Sequence, residues 1–117
     1  MAESILCITN DFGPRAGGIE TFVMGLIERL PRGCVTVYTS QQGDTRIYDQ
    51  GWLDQFGVKV IRDRSKILLP TPRVLQAGKQ VVSTENIKVV FFGAAAPLAV
   101  MARGLRKVGA QKIISLT

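Results

Sequence analysis

The stretch Ser4-Ile5-Leu6-Cys7-Ile8-Thr9-Asn10-Asp11-Phe12-Gly13-Pro14-Arg15-Ala16-Gly17-Gly18-Ile19-Glu20-Thr21-Phe22 decides the fold. Ser4 to Thr9 is a short apolar run, the pattern of a strand covered on both faces, as in a parallel sheet. A Gly/Pro-rich loop follows, from Asn10 to Gly18. Ile19, Phe22, Val23, Leu26, Ile27 and Leu30 then recur on one face of an α-helix. Glu20 suits the positive end of that helix and Arg29 the negative end, and Pro31 and Gly33 end it. The loop therefore delivers unpaired backbone N–H groups to a helix N-terminus, where an anion such as phosphate is stabilised. The glycines also fit a tight strand–helix turn that holds no ligand. Gly13-Pro14-Arg15-Ala16-Gly17-Gly18 is not a Walker loop, because Ile19-Glu20 stands where Lys-Ser/Thr is needed. Nor is it the GxGxxG dinucleotide fingerprint, and Tyr38, Thr39 and Ser40 offer no acid for a ribose. This disfavours an NADP-dependent oxidoreductase.

Outward from this stretch, strands alternate with helices. Cys34 to Ser40 reads as a second strand, rich in β-branched residues. Gln41 to Gly51 is polar and turn-like, with a short helix expected over Asp49 to Phe56. Val58 to Ile61 is a third strand. Thr71 followed by Pro72 is an N-cap and first helical position, opening a helix to about Thr84 with Val74, Leu75, Gly78 and Val82 on one face. Ile87 to Phe92 is a fourth strand, Pro97 to about Val108 a helix ended by Gly109, and Lys112 to Leu116 a fifth strand. The expected fold is a doubly wound, Rossmann-like α/β sheet of five parallel strands in the order 3-2-1-4-5. Its switch point lies between strands 1 and 4, beside the glycine loop and the Gly93 to Pro97 turn. A final strand with nothing to cover it suggests part of a longer protein.

The 117 residues form one domain by length, and 46% apolar content suits a globular chain. A net charge of +6 favours anionic partners. There is no histidine, which removes the commonest general base and metal ligand. No Cys/Asp/Glu cluster has metal-ligand spacing, no nucleophile motif is present, and no catalytic residue is assigned. Cys7 and Cys34 read as packed thiols in a reducing cytoplasm. No signal peptide is visible, and the uncharged stretch from Val89 to Ala102 is too short to span a bilayer.

Two groups of side chains are candidates for binding. Asn10 and Asp11 end the first strand, where they either hydrogen-bond sugar hydroxyls or stabilise an Asx turn. Arg62, Arg64, Lys66 and Arg73, beside Ile67-Leu68-Leu69, suit an anionic lipid headgroup or membrane face. At about 1 kcal/mol per basic residue, four cations less Asp63 give about 3 kcal/mol, a transient attachment. The alternative is a solvated charged loop with its leucines in the core.

The sequence from Thr9 to Phe22 resembles the start of a retaining GT-B glycosyltransferase of the GT4 type. Leu68-Leu69-Pro70-Thr71-Pro72 and Phe91-Phe92-Gly93-Ala94-Ala95-Ala96-Pro97-Leu98 resemble more closely the actinobacterial phosphatidylinositol mannosyltransferases. The likeness covers nearly the whole chain and about a third of such an enzyme. It implies an N-terminal, acceptor-side domain (residues 1–117), with a nucleotide-sugar domain absent. It also implies mannose transfer from GDP-mannose to a phosphatidylinositol mannoside, with no metal and no cofactor beyond the donor. The enzyme would be cytoplasmic and peripheral at the inner face of the plasma membrane, with no nucleic-acid partner. Gly17 and Gly18, with Arg15, would face the donor diphosphate. Asn10, Asp11, Arg62, Arg64, Lys66 and Arg73 would lie on the acceptor side. The family carries a histidine just after the strand that ends here at Thr117, and this sequence has none. Other readings are a stand-alone α/β module for a phosphorylated small molecule, or a GT4 enzyme with another acceptor.

Overall fold

A computed structural model of the chain describes residues 4–10, 18–92 and 101–115. Along it run β1 (Ile5–Ile8), α1 (Gly18–Arg29), β2 (Val35–Thr39), α2 (Arg46–Phe56), β3 (Lys59–Arg62), α3 (Pro72–Thr84), β4 (Val89–Phe92), α4 (Ala102–Lys107) and β5 (Lys112–Ser115). All strand pairs are parallel, and the sheet order is β3-β2-β1-β4-β5, as the alternation predicts. β1 lies at the centre, flanked by β2 and β4, so the switch point falls beside it.

Period-two alternation divides the core into two layers. Leu6 and Ile8, Tyr38, Val90 and Phe92 pack on one face, with Val74 and Val82 of α3 and Leu105 of α4. Cys7, Val35, Val37 and Phe91 pack on the other, with Val23 of α1 and Trp52 of α2. Both faces of the central strands are sealed, which is why these strands read as unbroken apolar runs. Cys7 is buried in β1. Burial pushes its thiol up to about 12, so it packs as a hydrophobe. Cys34 lies half-buried one residue before β2.

The helix ends follow local chemistry. The Thr71 hydroxyl accepts from the Val74 N–H at 3.2 Å, and Pro72 occupies the first turn, as expected. α2 begins at Arg46, three residues before the expected start. The polar Gln41 to Gly51 run hides this start, because Ile47 is 91% exposed and contributes nothing to an inward stripe. The inward stripe is aromatic: Tyr48, Trp52 and Phe56 stack at successive turns, with ring centroids 6.4 and 5.4 Å apart. Gly57 ends α2 with φ +69°, donating to the Leu53 carbonyl at 2.9 Å. Arg32 donates to the last carbonyls of α2, those of Leu53, Asp54 and Gln55, at 2.7 to 3.1 Å. A cation here complements the negative end of the helix. Of the last expected helix, residues 101–108 are described, and Ala102–Lys107 are helical. Gly93 to Pro97 lies outside the described residues.

Candidate functional site

In an open parallel sheet, ligands bind beyond the carboxyl ends of the strands at the switch point. Thr9 and Asn10 follow β1 there, Ser40 follows β2 and Asp63 follows β3. Backbone bonds tie these ends together: Thr9 N–H to the Tyr38 carbonyl at 3.1 Å, Asp63 N–H to Thr39 at 2.8 Å, and Gln41 N–H to Ser65 at 2.9 Å. The Thr39 hydroxyl is buried at this edge with no hydrogen-bond partner among the described residues. α1 opens at Gly18. Asp11, Arg15 and Gly17 lie outside the described residues.

Asn10 does not extend a free amide from the end of β1. Its Nδ2 donates to the Leu68 carbonyl at 3.0 Å, and its Oδ1 accepts from the Leu68 N–H at 2.6 Å. The side chain thus mimics a paired backbone strand and pins the β3–α3 loop to the sheet edge. Leu68 is fully buried between Ile67 and Leu69, which are 62% and 50% exposed.

The basic cluster divides into two kinds of residue. Arg62 is almost enclosed, with its side chain 6% exposed. It donates to both Asp49 oxygens at 2.9 and 3.0 Å and to the Ser40 carbonyl at 2.9 Å. Asp49 also accepts from the Thr45 hydroxyl at 3.0 Å. Arg73 donates two bonds to Asp63, at 2.7 and 2.9 Å. Both guanidiniums are answered by carboxylates in fork geometry. Arg64 and Lys66 are exposed and have no ion-pair partner among the described residues. Two outward cations attract an anionic surface by about 2 kcal/mol, less than the sequence count suggests.

Asp63 is the residue the sequence reading undervalued. It is 7% exposed. It accepts from Arg73, the Ser65 N–H at 3.0 Å, the Ser65 hydroxyl and the Tyr38 hydroxyl at 3.1 Å. The Arg73 bonds, with those from Ser65 and Tyr38, outweigh burial and hold its carboxyl well below the usual carboxylate range. Burial first, then the Asp63 charge, raises the Tyr38 phenol, so it stays protonated and donates. An acid set within Arg62-Asp63-Arg64 was the available signal that part of the cluster is structural. Together these groups hold the β3–α3 loop in one shape at the carboxyl end of the sheet.

Elsewhere, a trough of about 220 Å³ between β3 and α3 is lined by Ile61, Ala77 and Val81 beside the Lys59–Glu85 ion pair. It brings together no nucleophile. Among the described residues, no group of His, Cys, Asp and Glu side chains could hold a metal ion. No described helix is long and apolar enough to cross a membrane.

No family model matches the chain. Curated proteins do. The chain is 35% identical over 114 residues to a GDP-mannose-dependent alpha-(1-6)-phosphatidylinositol monomannoside mannosyltransferase of Mycolicibacterium smegmatis. It is 34% identical over 116 residues to the protein of the same description from Mycobacterium tuberculosis. A Corynebacterium glutamicum protein, described as a GDP-mannose-dependent monoacylated alpha-(1-6)-phosphatidylinositol monomannoside mannosyltransferase, is 36% identical over 118 residues. These matches take in 97 to 99% of this chain and 30% of each relative. By sequence, then, this chain is a relative of the GDP-mannose-dependent phosphatidylinositol monomannoside mannosyltransferases, and it spans just under a third of their length.

Proposed function

We propose that this chain is the N-terminal, acceptor-side part of a GDP-mannose-dependent mannosyltransferase acting on a phosphatidylinositol mannoside. The reading takes the enzyme to be a retaining GT-B transferase of the GT4 type, with the nucleotide sugar held by a second domain outside this chain. The observation that carries it is the match to such enzymes along 97% or more of the chain. The sheet order supports it, because β1, with β2 on one side and β4 on the other, puts the switch point at the strand that precedes Asn10.

The roles follow from chemistry. Amide groups at the start of α1, with Gly17, Gly18 and Arg15, would stabilise charge that builds on the departing diphosphate. Asp11 would line the acceptor side of the cleft. Asn10 acts there by fixing the β3–α3 loop, and Arg62 and Arg73 by bracing the rim through Asp49 and Asp63. Arg64 and Lys66 remain to meet the lipid phosphate or the bilayer, with transient contact at the cytoplasmic face of the membrane. No catalytic residue is assigned to this chain and no metal is invoked.

Half a cleft should bind without turning over. Titration calorimetry of this chain should show heat with inositol phosphate and none with GDP-mannose, and a mannosyl-transfer assay should show no product. Transfer by the chain on its own, or GDP-mannose binding without inositol phosphate binding, would count against the assignment.

A further inference from the structure

α2 carries charges at the wrong ends. A helix is stabilised by acids in its first turn and bases in its last. Arg46 is the first residue of α2, and Asp54 lies in its last turn, which holds no basic side chain. Arg46 pairs with Asp44 at 3.0 Å, but both side chains are largely exposed, so that pair contributes little. Asp54 accepts from the Gln50 amide at 2.7 Å and has no ion-pair partner among the described residues.

These residues share one face. Arg46, Gln50 and Asp54 follow at intervals of four and form a row along the helix, with Ile47 and Gly51 in the row beside it. With Asp44 they line a shallow concavity of about 660 Å³. Ile47 is almost fully exposed, the most exposed large apolar side chain among the described residues. A Cβ at Gly51 would meet nothing within 4 Å. Packing within the chain therefore does not require a glycine there, although it weakens the middle of the helix. Towards α1, a second hollow of about 400 Å³ is lined by Met24, Tyr48 and Trp52 beside Ile47 and Gly51. The face thus offers an apolar knob, a gap next to it and an unsuited charge at either end.

The pattern is complementary to itself. Arg46 and Asp54 each stand four residues from Gln50, about 6 Å along the axis in opposite directions. A two-fold axis crossing α2 at Gln50 lays a second α2 antiparallel on the first. It sets Arg46 of each copy opposite Asp54 of the other, twice over. Each arginine then lies at the negative end of the facing helix and each aspartate at the positive end, which corrects both placements. Ile47 of each copy meets the Gly51 strip of the other, where the absent side chain lets the axes approach to about 8 Å. We infer that the chain forms an antiparallel two-fold dimer through α2, with Ile47 and Gly51 at its centre and Arg46–Asp54 ion pairs at both ends. One helix pair with the Met24 edge of α1 is a small interface, so the dimer is weak, with a dissociation constant on the order of 10 µM.

Sedimentation velocity of this chain, from about tenfold below that value to tenfold above it, tests the proposal. The unmodified chain should pass from monomer to dimer across the range. Arg46→Asp or Asp54→Arg alone sets like charges opposite each other at both ends and should weaken the dimer by about 30-fold. Mixed in equal amounts, the two variants regain opposite charges at both ends and should associate to within about threefold of the unmodified chain. Unfolded variants could not complement each other in this way. Ile47→Ser should weaken the dimer by about tenfold and leave thermal unfolding of the dilute monomer unchanged. An unmodified chain that stays monomeric throughout overturns the proposal. So do single charge reversals that dimerise as well as the unmodified chain, or a mixture no tighter than its components. A dimer of this chain that is absent from the full-length protein overturns it as well, because the rest of the enzyme would then cover this face.

Discussion

Asp63 shows how a single carboxylate organises the rim. Five hydrogen bonds converge on it, two from Arg73, two from Ser65 and one from Tyr38. Its folded pKa lies below the unfolded carboxylate value of about 3.9. The stabilisation it gives is therefore full above that value and is lost as pH falls through the folded pKa. Asp63→Asn should cost about 2–4 kcal/mol at pH 7. In urea unfolding, the gap between parent and variant should narrow by about 1 kcal/mol at pH 3. A gap independent of pH would mean that the charge contributes nothing. Asn10 carries a second prediction. Asn10→Ala removes both bonds to Leu68, so trypsin should cut after Arg64 or Lys66 at least about tenfold faster while global unfolding shifts by about 1–3 kcal/mol. Equal cleavage rates would show that the loop holds its shape without Asn10. The sequence leaves Asn10 between a sugar ligand and a local turn. Its actual partner lies 58 residues away, and no local pattern encodes a contact of that range.

At the scale of elements, what is local is legible. α3 reads correctly from Thr71-Pro72 and its 3.6-residue apolar stripe, because cap, first turn and buried face are all written within thirteen residues. Thr71→Ala should lower stability by about 1 kcal/mol, measured by chemical denaturation. No loss would mean that the hydroxyl bond to the Val74 N–H is idle. α2 is harder to read. Its N-cap Thr45 makes no side-chain capping bond, the Arg46 N–H being met instead by the Asp44 carboxylate at 3.2 Å, and the apolar Ile47 in its first turn is 91% exposed. The end of α2 depends on Gly57. A Cβ there would meet Arg32 Cγ at 2.7 Å and the Gly33 backbone nitrogen at 2.9 Å, at φ +69°. Gly57→Ala combines left-handed strain with a backbone clash, so it should cost about 2–3 kcal/mol by thermal or urea unfolding. A neutral result would show that the α1–β2 loop moves aside readily.

For the whole molecule, the sheet order is legible because alternating strands and helices leave few right-handed arrangements. The basic cluster is less legible, since the pairing of Arg62 with Asp49 across β3 and α2 is a product of folding. The central claim is that this sheet forms the acceptor half of a mannosyl-transfer cleft. Its most direct measurement is product formation by the full-length protein, given GDP-mannose and phosphatidylinositol monomannoside. The account predicts a lipid bearing one more mannose, with product lost by about 100-fold or more when Gly18→Val blocks the start of α1. A folded enzyme that binds GDP-mannose yet leaves the monomannoside unextended would contradict it.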